Sequence, residues 1–440
     1  MADSQPELPE AHHADLESML SRKFGKEVAN YFSGSPLNRV SFLRTDHVFL
    51  SQAFKHPSAS FLLFNELSPL VRSSAELAFV RLADIQPLVG PDPYSKPEAE
   101  LIRDYNSAAP TPQLIFLGLD GRWRKEGEDK SGFVYKDVYK GAPFFALDVT
   151  PAEGGGESVV ALRSKAEDLI KKFEGEDLRF EGGRHILSFP ALDAAIYAAA
   201  RHTMDWNKRN PFCAACGYPT LSTNGGFKRT CPPADQNPAA KPLPPGGTLT
   251  TSTIEPPTNR PPCPTRNAIS NVSFPRTDPT IIVAVVSADG RRLLLGRQAR
   301  WPPRWYSTLA GFIEPGESVE EAVRREVWEE SGIHLGRVVV HSTQPWPYPA
   351  SLMIGCVAQA VPGEDGEKID MGHDAELEDA KWWAAEEVRE ALNVGSAGLG
   401  EEPGKDYKGG LRVPPRTAIA HQLMLAVVER GFVGGGVPKV

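Results

Sequence analysis

The chain has 440 residues, 41% of them hydrophobic and 24% charged, with a formal net charge of −8 and a pI of about 5.8. That balance is ordinary for a soluble globular protein of two to three domains and excludes a chain-wide basic footprint for nonspecific nucleic-acid binding. No apolar run approaches the ~20 residues of a membrane span, and the start, MADSQPELPEAHHADLESML, has neither an apolar signal core nor an Arg-rich transit character.

Residues 1–35 are polar and charged and predict a flexible tail with at most one short helix around Leu16–Phe32. From Asn38 the pattern changes to short apolar runs between turn-rich pieces. Strands are expected at Val40–Leu43, Phe61–Phe64, Leu77–Leu82, Leu114–Gly118, Phe144–Asp148 and Ser158–Leu162. After Phe180, a loop leads into a helix whose apolar stripe is Leu192, Ala195, Ile196 and Ala199. Residues 36–205 therefore predict an α+β domain, with no constellation that reads as catalytic.

Next comes the knuckle Cys213-Ala-Ala-Cys216-Gly, followed after fourteen residues by Cys231 and after a further thirty-one by Cys263. Two sulfurs at this spacing can grip one Zn²⁺ while Gly217 lets backbone amides approach them. Core cysteines or a redox pair are the other readings. The intervening stretch 232–262 is Pro/Thr/Gly-rich without apolar periodicity, and predicts a disordered insertion. A closed site tolerates such an insertion because loop-closure cost rises slowly with length. Four sulfurs leave no open coordination position, so this zinc would be structural. Lys228-Arg229 is too little basic charge to favour nucleic-acid binding by the ribbon. Clustered cysteines point away from a secreted disulfide scaffold and toward a reducing compartment.

The carboxy-terminal part opens with Ser273-Phe-Pro-Arg and the continuous apolar run Ile281–Val286, which predicts a buried strand. Asp289-Gly290 is a hairpin turn and Arg292–Gly296 the returning strand. Gly311–Ile333, GFIEPGESVEEAVRREVWEESGI, then reads as loop, helix and loop. Ser318 with Glu321 is a capping box, Val319, Ala322, Val323 and Val327 are the apolar stripe, and Gly332 is the stop. Glu326, Glu329 and Glu330 stand at i, i+3 and i+4, so three carboxylates share one face. A solvated acidic face is one outcome; a bound hard cation such as Mg²⁺ or Mn²⁺ is the other. Beyond a strand at Val338–Val340, Thr343-Gln-Pro-Trp-Pro-Tyr-Pro-Ala-Ser351 places three prolines at alternate positions. Such a loop is stiff: it either holds Gln344, Trp346, Tyr348 and Ser351 outward in a preset geometry or is a structural turn whose aromatics cover the core. Glu376 follows in an acidic loop with Glu378 and Asp379, before the strand at Ala380–Trp383. A last helix from Arg416 to Glu429 has Ile419, Leu423 and Val427 as its stripe, and Cys356 is a buried hydrophobe in the strand Leu352–Ala358.

At every defined position Gly311–Ile333 matches G-x5-E-x7-R-E-U-x-E-E-x-G-U, U being a bulky aliphatic, and so resembles the Nudix hydrolases. The 343–351 stretch is similar to the S-Q-P-W-P-F-P-x-S signature of the NADH pyrophosphatases, departing at Thr343 and Tyr348, and Ser35–Arg44 resembles the amino-terminal domain of their eukaryotic members. The resemblance implies an α+β multidomain protein: a degenerate Nudix-like amino-terminal domain, a central zinc ribbon and a carboxy-terminal Nudix α/β/α sandwich. On it we divide the chain into a tail (1–35), the Nudix-like domain (36–205), the ribbon (206–272), the catalytic domain (273–432) and a tail (433–440).

It also implies hydrolysis of the pyrophosphate of NADH or NAD⁺ to NMN(H) and AMP, with removal of NAD caps from RNA. Mg²⁺ or Mn²⁺ would lie on Glu326, Glu330 and Glu376, supported by Glu329. Arg325 would orient a box carboxylate, and Glu317 would tie the loop or hold a peripheral metal. Zn²⁺ would lie on Cys213, Cys216, Cys231 and Cys263. Phe274, Ala310, Phe312 and Ala420 would flank the nucleotide, with Gln344, Pro345, Trp346, Pro347, Tyr348, Pro349, Ala350 and Ser351 as the specificity segment. A homodimer without membrane attachment is implied, in the cytoplasm; a peroxisomal place is also compatible with the resemblance, although the chain ends Pro-Lys-Val and not in a Ser-Lys-Leu type address. The rival readings are a Nudix hydrolase of ADP-ribose or dinucleoside polyphosphates, and a noncatalytic nucleotide-binding zinc-ribbon protein.

Overall fold

Alternation along Ile281–Val286 decides the architecture of the carboxy-terminal unit. In the computed structural model, which describes residues 6–11, 28–124, 132–182, 188–237, 260–267, 273–315, 317–372 and 376–430, this run lies at the centre of a six-stranded sheet. The strands are β1 (Asp278–Val286), β2 (Arg292–Arg297), β3 (Leu309–Phe312), β4 (Leu335–Trp346), β5 (Ser351–Ala360) and β6 (Asp379–Ala384). The order is β4-β5-β1-β2-β6, with β3 also on β1 and with β1 and β5 parallel. Ile281, Val283 and Val285 pack on helix α1 (Val319–Ser331), against Ala322, Val323 and Val327. Ile282, Ala284 and Val286 face the other way, toward α2 (Ala385–Val394) and α3 (Ile419–Arg430) through Val388, Leu392, Ile419, Leu423 and Val427. Period-two side chains covered on both faces make the expected α/β/α sandwich. Each fully buried aliphatic contributes about 1.5–3 kcal/mol.

Two expectations change here. Thr343–Trp346 is no loop: it ends β4, with Gln344 opposite Met353 and Trp346 opposite Ser351, and only Pro347–Ala350 forms the turn. β4 is an edge strand, where Pro345 removes no ladder bond that the sheet needs. The region read as a tail also has a place: residues 28–34 belong to this unit, with Tyr31 and Phe32 buried. The Asn30 amide donates to Ser342 Oγ (3.0 Å) and to the Thr343 carbonyl (2.9 Å), which fixes the segment on β4. Val28–Phe32 forms no helix, and residues 16–27 of the expected helix lie outside the described residues.

The second unit comprises Ser35–Arg276 with Pro347–Ala350. Its eight-stranded sheet runs Leu37–Asn38, Leu114–Asp120, Ala142–Asp148, Ser60–Asn65, Ser68–Ser73 and Arg179–Phe180, with Glu76–Leu77 and Phe79–Val80 on its inner strands. Val40–Leu43 is not a strand, since Ser41–Leu43 is a 3₁₀ turn, and Leu82 begins a helix to Val89. Ser158–Leu162 opens a helix, Glu157–Glu174. The Val159-Val160 pair mimics a strand, but Ala166, Leu169 and Phe173 continue from Leu162 at helical spacing and are the buried positions. Helix Ala191–Arg209 forms as expected but buries Ala194–Ala198 and leaves Leu192 exposed. Among the described residues no helix is long and apolar enough to cross a membrane. Residues 238–259 of the expected insertion and the terminal 431–440 lie outside the described residues.

Candidate active site and cysteine cluster

Helix α1 is bounded at both ends by local chemistry, a side-chain cap at its start and a backbone stop at its end. Ser318 Oγ accepts from the Glu321 amide (3.3 Å), while the Glu321 carboxylate accepts from the Ser318 amide (2.7 Å). At the other end Gly332 takes φ 72°, a left-handed stop that an L residue disfavours. Between these ends the sheet-facing side holds Ala322, Val323 and Val327, and Glu330 is 4% exposed.

Arg325 organises the acidic face. Its Nε and Nη2 grip both oxygens of Glu317 (2.6 and 2.9 Å), and Nη1 donates to Glu326 (3.0 Å) and Glu329 (2.9 Å). Nη2 also holds the Phe312 carbonyl on β3 (2.9 Å). Glu317 in turn accepts from the Glu314 amide (2.9 Å), which ties the loop to the helix. The Arg325 guanidinium, then the Glu314 amide, hold the Glu317 carboxyl down to about 2. Glu326 moves the other way. Burial raises it first, and the charges of Glu329 and Glu376 raise it further against the pull of Arg325. A Cβ at Gly311 would fall on the Glu326 carboxylate, so β3 can pass this close only with glycine there.

Glu376 is an exposed turn residue whose charge adds to the upward push on Glu326. Its acidic neighbours are engaged elsewhere: Glu378 pairs with Arg297, and Asp379 with Lys381 (2.6 Å) and the Tyr306 hydroxyl (2.5 Å). An all-oxygen, mutually repelling donor set of this kind suits a hard divalent cation. Among the described residues only the four cysteines bring three or more ligand atoms within 4.8 Å of one another, so it is the chemistry of these carboxylates that fits the ion.

The nucleotide-flanking candidates are spread unevenly. Phe312 is 59% exposed, next to half-buried Gly311 and Ala310, whereas Ala420 is buried in the α3 face of the core against which Ala310 packs. Phe274 lies in the second unit, with the Lys228 ammonium 5.6 Å from its ring. The specificity segment departs from the outward reading. Gln344 is fully buried: its amide donates to the Tyr31 (3.0 Å) and Thr417 (2.8 Å) carbonyls and its oxygen accepts from Ile419 (2.9 Å). Ser351 is buried too, and half-buried Trp346 meets Phe32 edge-on at 6.0 Å. Strand alternation, which a loop reading ignores, sends Gln344 inward. Pro345 is half-buried and Pro349 exposed, while Pro347 and Ala350 are buried. The Tyr348 ring lies under the Arg201 guanidinium at 4.7 Å, and Arg201 also donates to the Pro347 carbonyl. Sequence reasoning missed the part played by Asn30 and Tyr31; an aromatic pair in an otherwise polar stretch was the available signal.

The cysteines converge. Sγ atoms of Cys213 and Cys263 are 3.7 Å apart, those of Cys216 and Cys231 3.5 Å, and all four lie within 4.8 Å of one another. Zn–S bonds of ~2.3 Å in a tetrahedron require sulfurs about 3.8 Å apart. The cluster fits that ion. Burial opposes ionisation of Cys213, but the Thr265 hydroxyl and the Ala215 and Cys216 amides bring it down to about 7. Across the neck of the insertion, Arg260 and Asp235 form a fully buried pair at 2.5 Å, and the Arg260 amide donates to the Pro233 carbonyl (2.7 Å).

Comparison with known proteins agrees with this geometry. Residues 276–400 match the NUDIX domain, and residues 58–206 match the NADH pyrophosphatase-like rudimentary NUDIX domain. The chain is 35% identical to NAD-capped RNA hydrolase NUDT12 of Macaca fascicularis, over 91% of this chain and 73% of that one. It is 31% identical to the NAD-capped RNA hydrolase of Schizosaccharomyces pombe, over 90% and 92% of the two chains. To NAD-capped RNA hydrolase NPY1 of Saccharomyces cerevisiae it is 31% identical, over 91% and 95%.

Proposed function

The chain belongs to the Nudix hydrolases, and on that premise we propose that it hydrolyses the pyrophosphate of NAD(H), free or at the 5′ end of RNA. Water adds to one phosphorus, the bridging P–O bond breaks, and the products are NMN(H) and AMP, or RNA ending in a 5′-monophosphate. The observation that carries this reading is the Arg325 clamp, which gathers Glu317, Glu326 and Glu329 at one face of the loop–helix motif.

Each side chain has a definable part. Arg325 holds Glu326 and Glu329 at fixed positions and anchors them to β3 through the Phe312 carbonyl. Glu317 keeps the preceding loop against the helix. The exposed Phe312 ring offers a stacking face for a base. A divalent cation, Mg²⁺ or Mn²⁺, would be held by Glu326, Glu330 and Glu376 with Glu329 beside them, and when bound it neutralises phosphate charge and lowers the pKa of water. Zinc on Cys213, Cys216, Cys231 and Cys263 would be structural, because four thiolates close its coordination.

The capped-RNA branch has its own support in the catalytic unit. A groove of about 450 Å³ is lined by Arg297, Arg304, Tyr306, Lys381 and Trp383. Arg297 and Lys381 already carry Glu378 and Asp379, so it is Arg304, beside Tyr306 and Trp383, that suits a sugar-phosphate chain with stacked bases. The test is product analysis after incubation with NADH and with NAD-capped RNA in the presence of manganese. NMN(H) and AMP from the first, and 5′-monophosphate RNA from the second, are expected. Failure on both substrates defeats the reading; Arg304→Glu should slow only the RNA reaction. We further place the enzyme in the cytoplasm as a homodimer, to be checked by cell fractionation and light scattering.

A further inference from the structure

A cavity of about 730 Å³ opens inside the amino-terminal unit, lined by the segment Pro93–Leu114, which includes the helix Glu98–Arg103, and by the strand Leu221–Thr223 of the ribbon with Lys228–Thr230. The proposed hydrolysis makes no use of it. Its volume is that of a site for a whole small molecule. Its lining includes the rings of Tyr94 and Phe212 and the side chains of Leu50 and Leu101.

Arg229 also lines the cavity. Its Nε donates to Thr220 Oγ1 (2.8 Å) and Nη2 to the Thr220 carbonyl (2.9 Å), while Nη1 reaches Gln113 Oε1 (3.4 Å) and Asn207 Oδ1 (3.5 Å). Every acceptor is neutral. Burial pushes the guanidinium down to about 10, and no carboxylate of the described residues pairs with it. Arg260 shows the usual remedy, a buried Asp235 at 2.5 Å. Glu98, on the same wall, does not supply it: that carboxylate accepts from the Asn224 amide, and Lys228 is the cation acting on it. Arg44 adds positive charge behind the wall, its Cβ and Cγ 3.5 Å from where a Cβ on Gly225 would stand and its guanidinium 3.5 Å over the Phe227 ring. Two shielded cations without acids are costly, and an anion in the cavity would offset that cost.

We propose that this cavity binds a phosphorylated ligand of mononucleotide size, its phosphate at Arg229 and its ring against Tyr94 and Phe212. The site is separate from the catalytic reading, and each can fail without the other. The probe is AMP, counted per chain by equilibrium dialysis with full-length protein in buffer without added magnesium or manganese. Compared with wild type, Arg229→Gln and Phe212→Ala should each lose one bound AMP or weaken it by about tenfold or more. Their NADH turnover should stay at the wild-type level. Inorganic phosphate should displace that same AMP. If both variants bind as much AMP as wild type with unchanged affinity, or if phosphate fails to compete, the assignment is overturned. Phe212 is half exposed, so its variant decides the matter should Arg229→Gln unfold.

Discussion

The two sheets of this protein share one strand plan. In the catalytic unit the core order is β4-β5-β1-β2, with β1 and β5 parallel and the outer pairs antiparallel. In the amino-terminal unit Leu114–Asp120, Ala142–Asp148, Ser60–Asn65 and Ser68–Ser73 repeat that order and those directions. They differ in the helix that succeeds the first hairpin. The catalytic unit places α1 there, where Arg325 gathers three carboxylates, those of Glu317 just before the helix and of Glu326 and Glu329 on it. Its counterpart places Leu82–Val89, whose one acid, Asp84, is taken by Lys172 (2.7 Å) and the Arg81 amide (3.0 Å). A sheet needs only alternating apolar residues, which both sequences keep; hydrolysis needs one particular helix, which only one keeps.

Substitutions can break or sharpen that contrast. The largest effect should come from Glu330→Gln, which should lower NADH turnover at least about a hundredfold with the circular dichroism spectrum unchanged. Asp84→Asn, at the amino-terminal counterpart, should leave turnover at wild type. Near-normal activity in Glu330→Gln would undo the metal assignment. Next in size, Cys213→Ser should cost both bound zinc, by elemental analysis, and thermal stability.

Smaller, and directed at the buried amide of β4, is Gln344→Leu. It strands three buried backbone partners and should destabilise the fold by about 1–3 kcal/mol in urea melts, with KM for NADH unchanged. A raised KM at full stability would instead make Gln344 a substrate contact. The smallest effect concerns Glu317, whose folded pKa of about 2 lies below the ordinary ~4.3 for a glutamate. A depressed carboxyl stabilises the fold fully above its unfolded value and loses that contribution as pH falls through the folded one. The Tm advantage of wild type over Glu317→Gln should therefore be constant near pH 6 and fade from about pH 4.3 toward 2. A constant difference over that window would show that Arg325 does not hold the group down.

Much of this was legible in the residues. Ser318, Glu321 and Gly332 announce α1 by local chemistry that tertiary context did not alter, and Ile281–Val286 declares a strand buried on both faces. Short windows were less reliable. Ser158–Leu162 looks like a strand until Ala166, Leu169 and Phe173 are counted with it. The proline spacing at Pro345, Pro347 and Pro349 masked a strand end, because proline is compatible with an edge that sequence alone does not identify. Contacts between distant residues were beyond reach in principle: nothing near Asn30 says that Ser342 awaits its amide.

The ion pair of Asp235 with Arg260 bears on how the cysteine cluster tolerates its interruption. By stapling both margins of the detour, it turns a closure across thirty-one residues into one between near neighbours, and Cys263 reaches Cys213 from a fixed launch point.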